Sequence, residues 1–431
     1  MSGWGSWLTG SSQTSADTQP SAAKTNFFPV TDAFEREQMC GDLAPGDLNW
    51  TCPTGLSTET SVWYAMLDDG SFFLNQIIYS PVGLFQPQVQ MTFRYFHPAT
   101  GENVWKSKNV DQFQVLPDKR SCKSSAFSVT CKDLEDGSQQ YEISATLDNE
   151  LQLMYSVKRS ASAKGWKLGQ GDKGGFSYFG ENPAAPVGHV VHRFWPHVQV
   201  SGMVVLKGRA IDANGQGMFV QAIQGMRPNL VASKWNFSNF QSRDFGGSSA
   251  VLMEFTTIPD YGKVADDGRR VPQTVTIGSI VCQGQLVAVV GVTRAANVDR
   301  LPPTHVEHET LTLDPDTGYQ VPQSIQYVLQ GPALVGEAAG QDVQAKLRVE
   351  LGAPAQTHGL IEKVDVLAEI PYMVKKLVNY VAGTKPYIYQ TLNPVTMTLA
   401  CPEAVAKALD LPETSVTLQG TLFEEHTFIS A

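Results

Sequence analysis

The sequence predicts an all-β fold made of two antiparallel β-barrels in tandem, and three observations lead to this prediction. Short runs rich in Val, Ile, Phe, Tyr and Trp recur along most of the chain. Gly and Asp turn signals separate the runs at intervals of about 8–12 residues, a spacing typical of β-sandwiches and barrels. The 431 residues suffice for two or three domains, and 42% of them are hydrophobic, which supports a large core.

The N-terminal segment predicts a short amphipathic helix. Trp4, Trp7 and Leu8 follow the spacing i, i+3, i+4, which places them on one stripe of a helix, and the first sixteen residues carry no charged side chain. An apolar stripe with an uncharged polar back is typical of a helix that lies weakly in a membrane interface. The alternative is a disordered tail whose tryptophans dock on the protein itself. Residues 9–26 read as a flexible linker, so we assign 1–26 to membrane contact and linker.

Residues 27–216 predict the first barrel. Val62 to Leu67 and Ser71 to Tyr79 flank an Asp-Asp-Gly turn and predict a hairpin. A strand with alternating apolar residues is expected around Met91 to Tyr95. The runs 128–132, 141–147 and 151–157, separated by tight turns, predict a meander.

Residues 217–431 predict the second barrel, with a boundary near 208–217. Strands are expected at 217–225, 250–258, 273–282, 285–292, 304–313, 323–329, 344–351 and 416–428. Apolar residues at helical spacing between Val364 and Val381 predict an amphipathic helix packed on a barrel, and 402–409 a short helix. A barrel of about eight strands can enclose one apolar ligand, although its aromatic residues can equally fill the interior.

Charge and composition exclude several classes of protein. The formal net charge is -10 and no Lys/Arg run occurs, so we expect no nucleic-acid partner and no tight attraction to anionic lipid. No run approaches the roughly 18 apolar residues of a membrane-spanning helix, and we find no secretory signal. Six cysteines without a CxxC pattern suit free thiols in a reducing compartment. We expect a monomer.

Motifs that could carry catalysis or metal binding are weak. His189, His192 and His197 lie on one predicted strand with His192 facing away from the other two, so they do not converge on a metal; we expect polar latch or pocket residues. The GxGxxG match at 169–174 is followed by no helix and predicts a loop. The Asp314-Pro-Asp316 segment predicts a hairpin turn rather than a calcium site. Cys122, between Arg120 and Lys123, is a mild candidate for a reactive thiol. We therefore assign no catalytic residue, metal or cofactor.

One central stretch resembles a known family. The block His189-Val-Val-His-Arg-Phe-Trp-Pro-His197, the following segment 217–240 with its Trp235-Asn236-Phe237 block, and the Trp-bearing N-terminus are similar to the fungal survival factor 1 family. The resemblance covers nearly the whole chain. His197 stands where the family often has a basic residue.

The resemblance implies two lipocalin-like domains and non-enzymatic carriage of ceramide from the endoplasmic reticulum to the Golgi. It further implies survival of oxidative stress and a reversible N-terminal membrane helix that begins at an acetylated Ser2 once Met1 is removed. We accordingly expect a cytoplasmic protein, peripheral on Golgi and endoplasmic reticulum membranes, with the nucleus as a further location.

Candidate lipid-binding residues lie at or just after the domain junction. They are Trp195, Phe219, Met226, Trp235 and Phe237. The alternative is that they only pack the core. Two other functions stay open. One is a lipocalin-fold hydratase or isomerase acting on an isoprenoid-like substrate, with His189, His192 or His197 as acid or base. The other is a redox-sensing scaffold that uses free cysteines.

Overall fold

The computed structural model describes residues 23–81, 87–226, 228–338, 340–366 and 385–429. The predicted all-β fold is confirmed, because nearly all regular structure in these residues is antiparallel strand. The predicted N-terminal amphipathic helix, with Trp4, Trp7 and Leu8, lies outside the described residues. Within them, no helix has the length and hydropathy needed to cross a bilayer.

The strands of the first sheet come from the N-terminal half. They are β1 (Phe27–Phe28), β2 (Cys40–Asp42), β3 (Thr58–Leu67), β4 (Phe72–Pro81), β5 (Pro87–His97), β6 (Glu102–Val110), β7 (Gln114–Val115), β8 (Cys122–Lys123), β9 (Phe127–Asp133), β10 (Gln139–Thr146), β11 (Leu151–Arg159), β12 (Trp166–Leu168), β13 (Phe176–Phe179), β14 (Gly188–Leu206), β15 (Arg209–Asp212) and β16 (Gly215–Gln224).

The later strands form the second sheet, except for β19 and β20, which pair with each other. They are β17 (Lys234–Ser242), β18 (Ser248–Thr256), β19 (Lys263–Val264), β20 (Arg270–Val271), β21 (Gln273–Cys282), β22 (Gln285–Ala295), β23 (His305–Leu313), β24 (Gln320–Pro332), β25 (Asp342–Glu350), β26 (Leu360–Asp365), β27 (Tyr387–Ala400) and β28 (Ser415–Phe428). The helices within the described residues are α1 (Pro228–Val231) and α2 (Glu403–Ala408), with 3-10 turns at Val30–Ala33, Arg36–Gln38, Asp244–Gly246 and Pro354–Gln356.

The first sheet curls into a barrel. Its main strands are ordered β6-β5-β4-β3-β16-β14-β11-β10-β9-β8-β7. The curl brings β6 to the β10–β11 turn, where Lys106 Nζ lies 2.7 Å from Asp148 and 3.0 Å from Glu150. Along β3, Trp63 belongs to the core inside this barrel and Tyr64 to a core outside it, because successive side chains of a strand point to opposite faces.

The second sheet also closes on itself. Its strands are ordered β22-β21-β18-β17-β28-β27-β25-β24-β23, with β26 paired to β27. A bridge between Ala288 of β22 and Ala333, just after β24, links one end strand to the extension of the strand next to the other end. Such a link leaves fewer unpaired strand edges exposed to solvent. We call the two curled sheets the first and second barrel.

The two barrels pack against each other through their outer faces, and we call this contact the inter-barrel layer. It joins β3, β4, β14 and β16 to β17, β18, β21 and β28. The ring of Phe72 stacks on Phe423 with centroids 4.6 Å apart, and Tyr64 lies 5.3 Å from Phe237. Burying each such side chain stabilises the fold by about 1.5–3 kcal/mol. The layer therefore holds the barrels in one arrangement.

The predicted elements agree with the structure in most places. The hairpin (β3–β4), the meander (β9–β11) and the short helix α2 are all present. Strand β16 crosses the predicted 216/217 boundary and pairs with β3 and β14 in the first barrel, and the chain enters the second barrel at Lys234. The prediction of a helix from Val364 is wrong at its start, because Val364 lies in β26 and pairs with Ile388 of β27. Its span from 367 onward lies outside the described residues.

Candidate functional site in the first barrel

Four neighbouring strands place polar and aromatic side chains in two adjacent rows on the inner face of the first barrel. Strand register defines the rows, on β4, β3, β16 and β14. The upper row consists of Asn75, Trp63, Phe219 and Trp195. The lower row, two residues further along each strand, contains Ser61, Gln221 and Arg193. We call these seven residues the two-row patch, and all of them are buried.

Aromatic rings fill the barrel beside the upper row. The ring of Tyr141, from β10 on the opposite wall, lies 4.9 Å from those of Trp195 and Phe219 and 5.5 Å from that of Trp63. These centroid distances are those of rings in direct contact. A ligand can enter here only if the rings move apart.

The patch contains buried polar atoms that have no hydrogen-bond partner. They are the donors Trp63 Nε1, Trp195 Nε1 and Arg193 Nε and the acceptors Asn75 Oδ1 and Gln221 Oε1. The side-chain nitrogens of both amides already have acceptors. Asn75 Nδ2 donates to Tyr155 Oη at 2.8 Å, and Gln221 Nε2 donates to Glu59 Oε1 at 3.0 Å. Leaving a buried polar atom unpaired costs about 1–3 kcal/mol, so such a concentration points to a bound partner.

Glu59 closes the lower end of the patch. Its fully buried carboxylate accepts hydrogen bonds from the backbone N–H groups of Thr51 and Cys52, at 3.0 and 2.8 Å, and from Gln221. Desolvation raises the pKa of Glu59, while these hydrogen bonds act in the opposite direction. The carboxylate thus fixes the orientation of the Gln221 amide.

The charges near the lower row balance. Lys167 Nζ lies 2.9 Å from Asp47, and Arg193 Nε lies 3.8 Å from the same carboxylate, too far for a hydrogen bond. Burial lowers the pKa of Arg193, and Asp47 and Glu59 oppose this shift. These two acidic and two basic side chains leave no net formal charge. A further cation, Arg159, lies beside the upper row, 5.6 Å from the ring of Trp195.

The second barrel also has a polar interior, but its groups are mostly paired with each other. Five polar side chains lie side by side on its neighbouring strands, and they are Thr276, Glu254, Asn236, His426 and Tyr389. Thr276 Oγ1 donates to Glu254 at 2.7 Å, and Asn236 Nδ2 donates to the same carboxylate at 3.3 Å.

Histidines extend this second-barrel network. His308 Nε2 lies 2.7 Å from Asn236 Oδ1, and burial lowers the pKa of His308 well below its ordinary value, so its neutral ring donates to the amide oxygen. His426 Nδ1 lies 3.1 Å from Glu424. Ser238 Oγ, one row deeper, has no partner.

The candidate lipid-binding residues fall in two places. Trp195 and Phe219 belong to the two-row patch. Met226, Trp235 and Phe237 lie in the inter-barrel layer, where Trp235 packs 5.2 Å from the ring of Phe255. Their role in lipid binding stays a prediction. The membrane-contact residues Trp4, Trp7 and Leu8 and the modification site Ser2 lie outside the described residues.

The histidines of β14 do not meet. A bulge between Trp195 and Val198 shifts the register of β14 and places His197 in the inter-barrel layer, where its Nδ1 lies 2.8 Å from Gln241 Oε1. The expectation that His197 faces away from His192 is therefore wrong, because His192 also lies in this layer, 6.2 Å from the ring of Trp235. His189 packs on Phe176. Among the described residues, no cluster of His, Cys, Asp or Glu is arranged to hold a metal ion.

The other sequence motifs are structural. Gly169–Gly174 forms the loop between β12 and β13, and Asp314–Gly318 the turn between β23 and β24, as predicted. Cys122 is fully buried, and burial raises the pKa of its thiol. The neighbouring Arg120 pairs with Asp133 at 2.6 Å. The expectation of a reactive Cys122 is therefore wrong, since the thiolate is disfavoured and out of reach.

A hollow of about 530 Å³ lies on the outer face of β9, β10, β11 and β14. It is open, and its lining is mainly Ser, Thr, Gln and Glu, with Met154 as its exposed apolar residue. An acyl chain gains little from such a surface because it would stay in water.

Sequence reasoning missed Asn75, Trp63 and Gln221. For the two amides a signal existed, because the alternation of side chains along each strand places both of them on the face that points into the core. Burying an amide is costly unless it is hydrogen-bonded, so such positions stand out once the inward parity is known.

Solved structures that span most of the chain share little sequence with it. A putative AttH from Nitrosomonas europaea covers 90% of this chain and 97% of its own, with 13% identity and a TM-score of 0.47. CghA in complex with Sch210972 covers 87% and 89%, with 10% identity and a TM-score of 0.47.

Two relatives match this chain by sequence over almost the full length of both proteins. The ceramide-binding protein svf1 of Schizosaccharomyces pombe is 32% identical over 404 residues, covering 93% of each chain. The ceramide-binding protein SVF1 of Yarrowia lipolytica is 32% identical over 439 residues, covering 98% of this chain and 99% of its own. The model of the Svf1 family matches residues 5–430. The chain therefore belongs to the Svf1 family.

Proposed function

We propose that this protein binds ceramide or a closely related sphingolipid and carries it, without vesicles, between the endoplasmic reticulum and the Golgi. The observation that supports this most is the two-row patch: unpartnered hydrogen-bond donors and acceptors inside an otherwise apolar, aromatic barrel. Relatives that match almost the whole chain are named ceramide-binding proteins. Both facts agree with a neutral amphiphile as the ligand.

The physical task of such a carrier is to hide two acyl chains from water. Each exposed methylene group costs about 0.8 kcal/mol, so a free ceramide does not cross the cytosol at a useful rate. Its head consists of an amide and hydroxyl groups and bears no charge, so it needs a few hydrogen-bond partners rather than a counter-ion. An apolar barrel with a small set of unpaired polar atoms meets both needs.

Membrane contact would come from the N-terminal segment. The stripe of Trp4, Trp7 and Leu8 would enter the interface, starting from an acetylated Ser2, and its lack of charge agrees with the net charge of -10 on the whole chain. Three apolar anchors give weak and reversible attachment, which a carrier needs in order to leave. The protein would be cytoplasmic and peripheral on both membranes. Its role in survival of oxidative stress would follow from sphingolipid handling.

A second candidate function is acid–base catalysis on an apolar isoprenoid-like substrate, as in a hydratase or isomerase. The observation that favours it is the second-barrel chain from His308 through Asn236 to Glu254, which couples an imidazole to a buried carboxylate. This places the acid–base groups in the second barrel rather than at His189, His192 or His197. Loss of turnover with retained ligand binding in His308→Ala would favour this candidate.

Mass spectrometry of lipids that co-purify with the full chain tests the proposal. If the protein is a carrier, ceramide should co-purify with it, and the protein should accelerate ceramide transfer between two vesicle populations. The matched control is Leu311→Ala, a change at an exposed position of β23. If the protein binds no sphingolipid and does not accelerate transfer, the proposal is wrong.

A further inference from the structure

We infer that the two-row patch in the first barrel is the site that holds the lipid head, and that it selects uncharged heads bearing both donors and acceptors over phosphorylated ones. This inference rests on the proposed function, and it adds the barrel, the residues and the head-group class. The indole N–H groups of Trp63 and Trp195 donate to oxygens of the head. The amide oxygens of Asn75 and Gln221 accept from its N–H or hydroxyl groups.

The distribution of unpaired polar atoms singles out the first barrel. Three donors and two acceptors without partners lie in two adjacent rows there, on strands that pair directly. In the second barrel, Glu254 and Asn236 are satisfied by each other and by Thr276 and His308. The atoms left over beside them are Ser238 Oγ and Arg294 Nε, neither of which is an amide or an indole. A satisfied network gains nothing from a ligand, whereas an unsatisfied one gains a full hydrogen bond at each atom.

The chemistry of the patch matches an amide with hydroxyl groups. The Asn75 and Gln221 nitrogens are held by Tyr155 and Glu59, so their oxygens are the atoms left over. The patch offers both unpaired donors and unpaired acceptors, which fits a head that contains a carbonyl oxygen, an N–H and hydroxyls. A purely apolar ligand would leave all of these atoms unpaired.

The charges beside the patch disfavour a phosphorylated head. Asp47 and Glu59 balance Lys167 and Arg193. A further cation beside the patch is Arg159, whose guanidinium lies 5.6 Å from the Trp195 ring and donates to Ser160 O and to Gln139 Oε1. A phosphate would add about two negative charges against the single positive charge of Arg159, so its desolvation penalty is only partly offset.

Entry of the lipid requires Tyr141 to move. Its ring contacts Trp195, Phe219 and Trp63 at once, so it occupies the space in front of the upper row. Displacing it removes a ring contact from both indoles together. The environment of Trp63 and Trp195 must therefore change on binding, while a tryptophan in the inter-barrel layer keeps its surroundings.

Conservative substitutions in the full chain test the site. The double variant Trp63→Phe/Trp195→Phe deletes both indole donors and keeps aromatic rings. The matched control is Trp166→Phe, which deletes an equally buried and equally unpartnered N–H in the inter-barrel layer. The probe is a fluorescent ceramide in neutral phosphatidylcholine vesicles. Each hydrogen bond is worth about three- to tenfold in affinity, so we expect the double variant to bind at least about tenfold more weakly and the control to stay within about twofold.

Two further measurements do not depend on the variants folding identically. With 5-fluorotryptophan incorporated, ceramide should shift the 19F resonances of Trp63 and Trp195 and leave that of Trp166 in place. Ceramide 1-phosphate in the same vesicles should bind the wild-type chain at least about tenfold more weakly than ceramide.

The outcomes separate this inference from the proposed function. If the wild type binds no ceramide, the proposed function fails. If it binds ceramide but the Trp63 and Trp195 resonances do not move, or the double variant equals the Trp166→Phe control, the site assignment alone is overturned. Loss of binding in Ser238→Ala or Glu254→Gln, with the Trp variants unaffected, would place the head in the second barrel instead. Equal affinity for ceramide 1-phosphate would overturn the predicted selectivity.

Discussion

Asn75 lies directly opposite Trp63 in the register of β4 and β3, and each of the two side chains keeps one buried polar atom without a partner. One atom is an acceptor and the other a donor. Two neighbouring strands therefore present complementary unpaired groups to the same interior. Gln221 on β16 lies opposite Arg193 on β14, and these two side chains also keep an unpaired acceptor and an unpaired donor.

The inter-barrel layer should contribute strongly to stability. Phe423→Ala removes a fully buried ring that stacks on Phe72 and lies 5.5 Å from Tyr64. We expect a loss of about 3–5 kcal/mol in the free energy of unfolding, measured by urea denaturation. Leu313→Ala, at an exposed apolar position, should change it by less than about 0.5 kcal/mol. Equal effects of the two changes would show that the layer is not a stabilising contact.

Glu425 should make the free energy of unfolding fall as pH rises, in opposition to buried histidines such as His192 and His308, whose pKa values burial lowers. Burial raises the pKa of the Glu425 carboxyl group from 4.5 to about 7, although Gln390, donating at 2.7 Å, lowers it in part. Between these values this group binds more protons in the folded state than in the unfolded state, so its contribution to stability is lost with rising pH. Glu425→Gln should remove this contribution and stabilise the protein at pH 8 relative to the wild type. Denaturation curves from pH 4.5 to 8 check this, and an unchanged slope in the variant would contradict it.

The N-terminal stripe should control membrane attachment. Trp7→Asp or Leu8→Asp places a charge on the apolar face and should reduce binding to neutral vesicles rich in packing defects by at least about tenfold, since each anchor is worth about 1.5–3 kcal/mol. Ser6→Asp adds the same charge off the stripe and serves as the control. Vesicle co-sedimentation is the measurement. If Ser6→Asp weakens binding as much as Trp7→Asp, charge rather than the apolar stripe decides attachment.

Cys122 should not react in the folded protein. Burial raises the pKa of its thiol, and its side chain is inaccessible, as is that of Cys282. Iodoacetamide at pH 7.5, followed by peptide mapping, should modify both residues only after denaturation. The partly exposed Cys52 is the internal comparison, although burial also raises its pKa to about 11. Labelling of Cys122 at the rate of Cys52 would revive a redox role.

Much of the fold follows from local pattern. The β3–β4 hairpin could be predicted because apolar runs flank an Asp-Gly turn, and the β9–β11 meander because its turns recur at short intervals. Strand β17 was not predicted as such, although its Trp235-Asn236-Phe237 block drew attention for other reasons. Val364 was predicted to be helical because the apolar residues that follow it recur at helical spacing. That spacing gives no information on the pairing of Val364 with Ile388, which the tertiary structure decides.

The candidate site was predictable only in part. Trp195 and Phe219 drew attention as aromatics near the junction, and both line the two-row patch. Trp235 and Phe237 carried the same signal but lie between the barrels, because the parity of β17 turns them outward. Asn75 and Gln221 stand out only once the inward parity of their strands is known, since an isolated amide in a strand is common on a solvent-facing side.

The sequence by itself determined that this chain is β-rich, acidic and divided into two strand series, because alternation, turn residues and charge are local or additive properties. The tertiary structure alone decided which face of each strand is inside, which polar atoms find partners, and which barrel retains unpaired ones. These properties depend on strand register and on the pairing of segments far apart in sequence. A single bulge, such as the one beside His197, turns the following side chains to the opposite face of the strand.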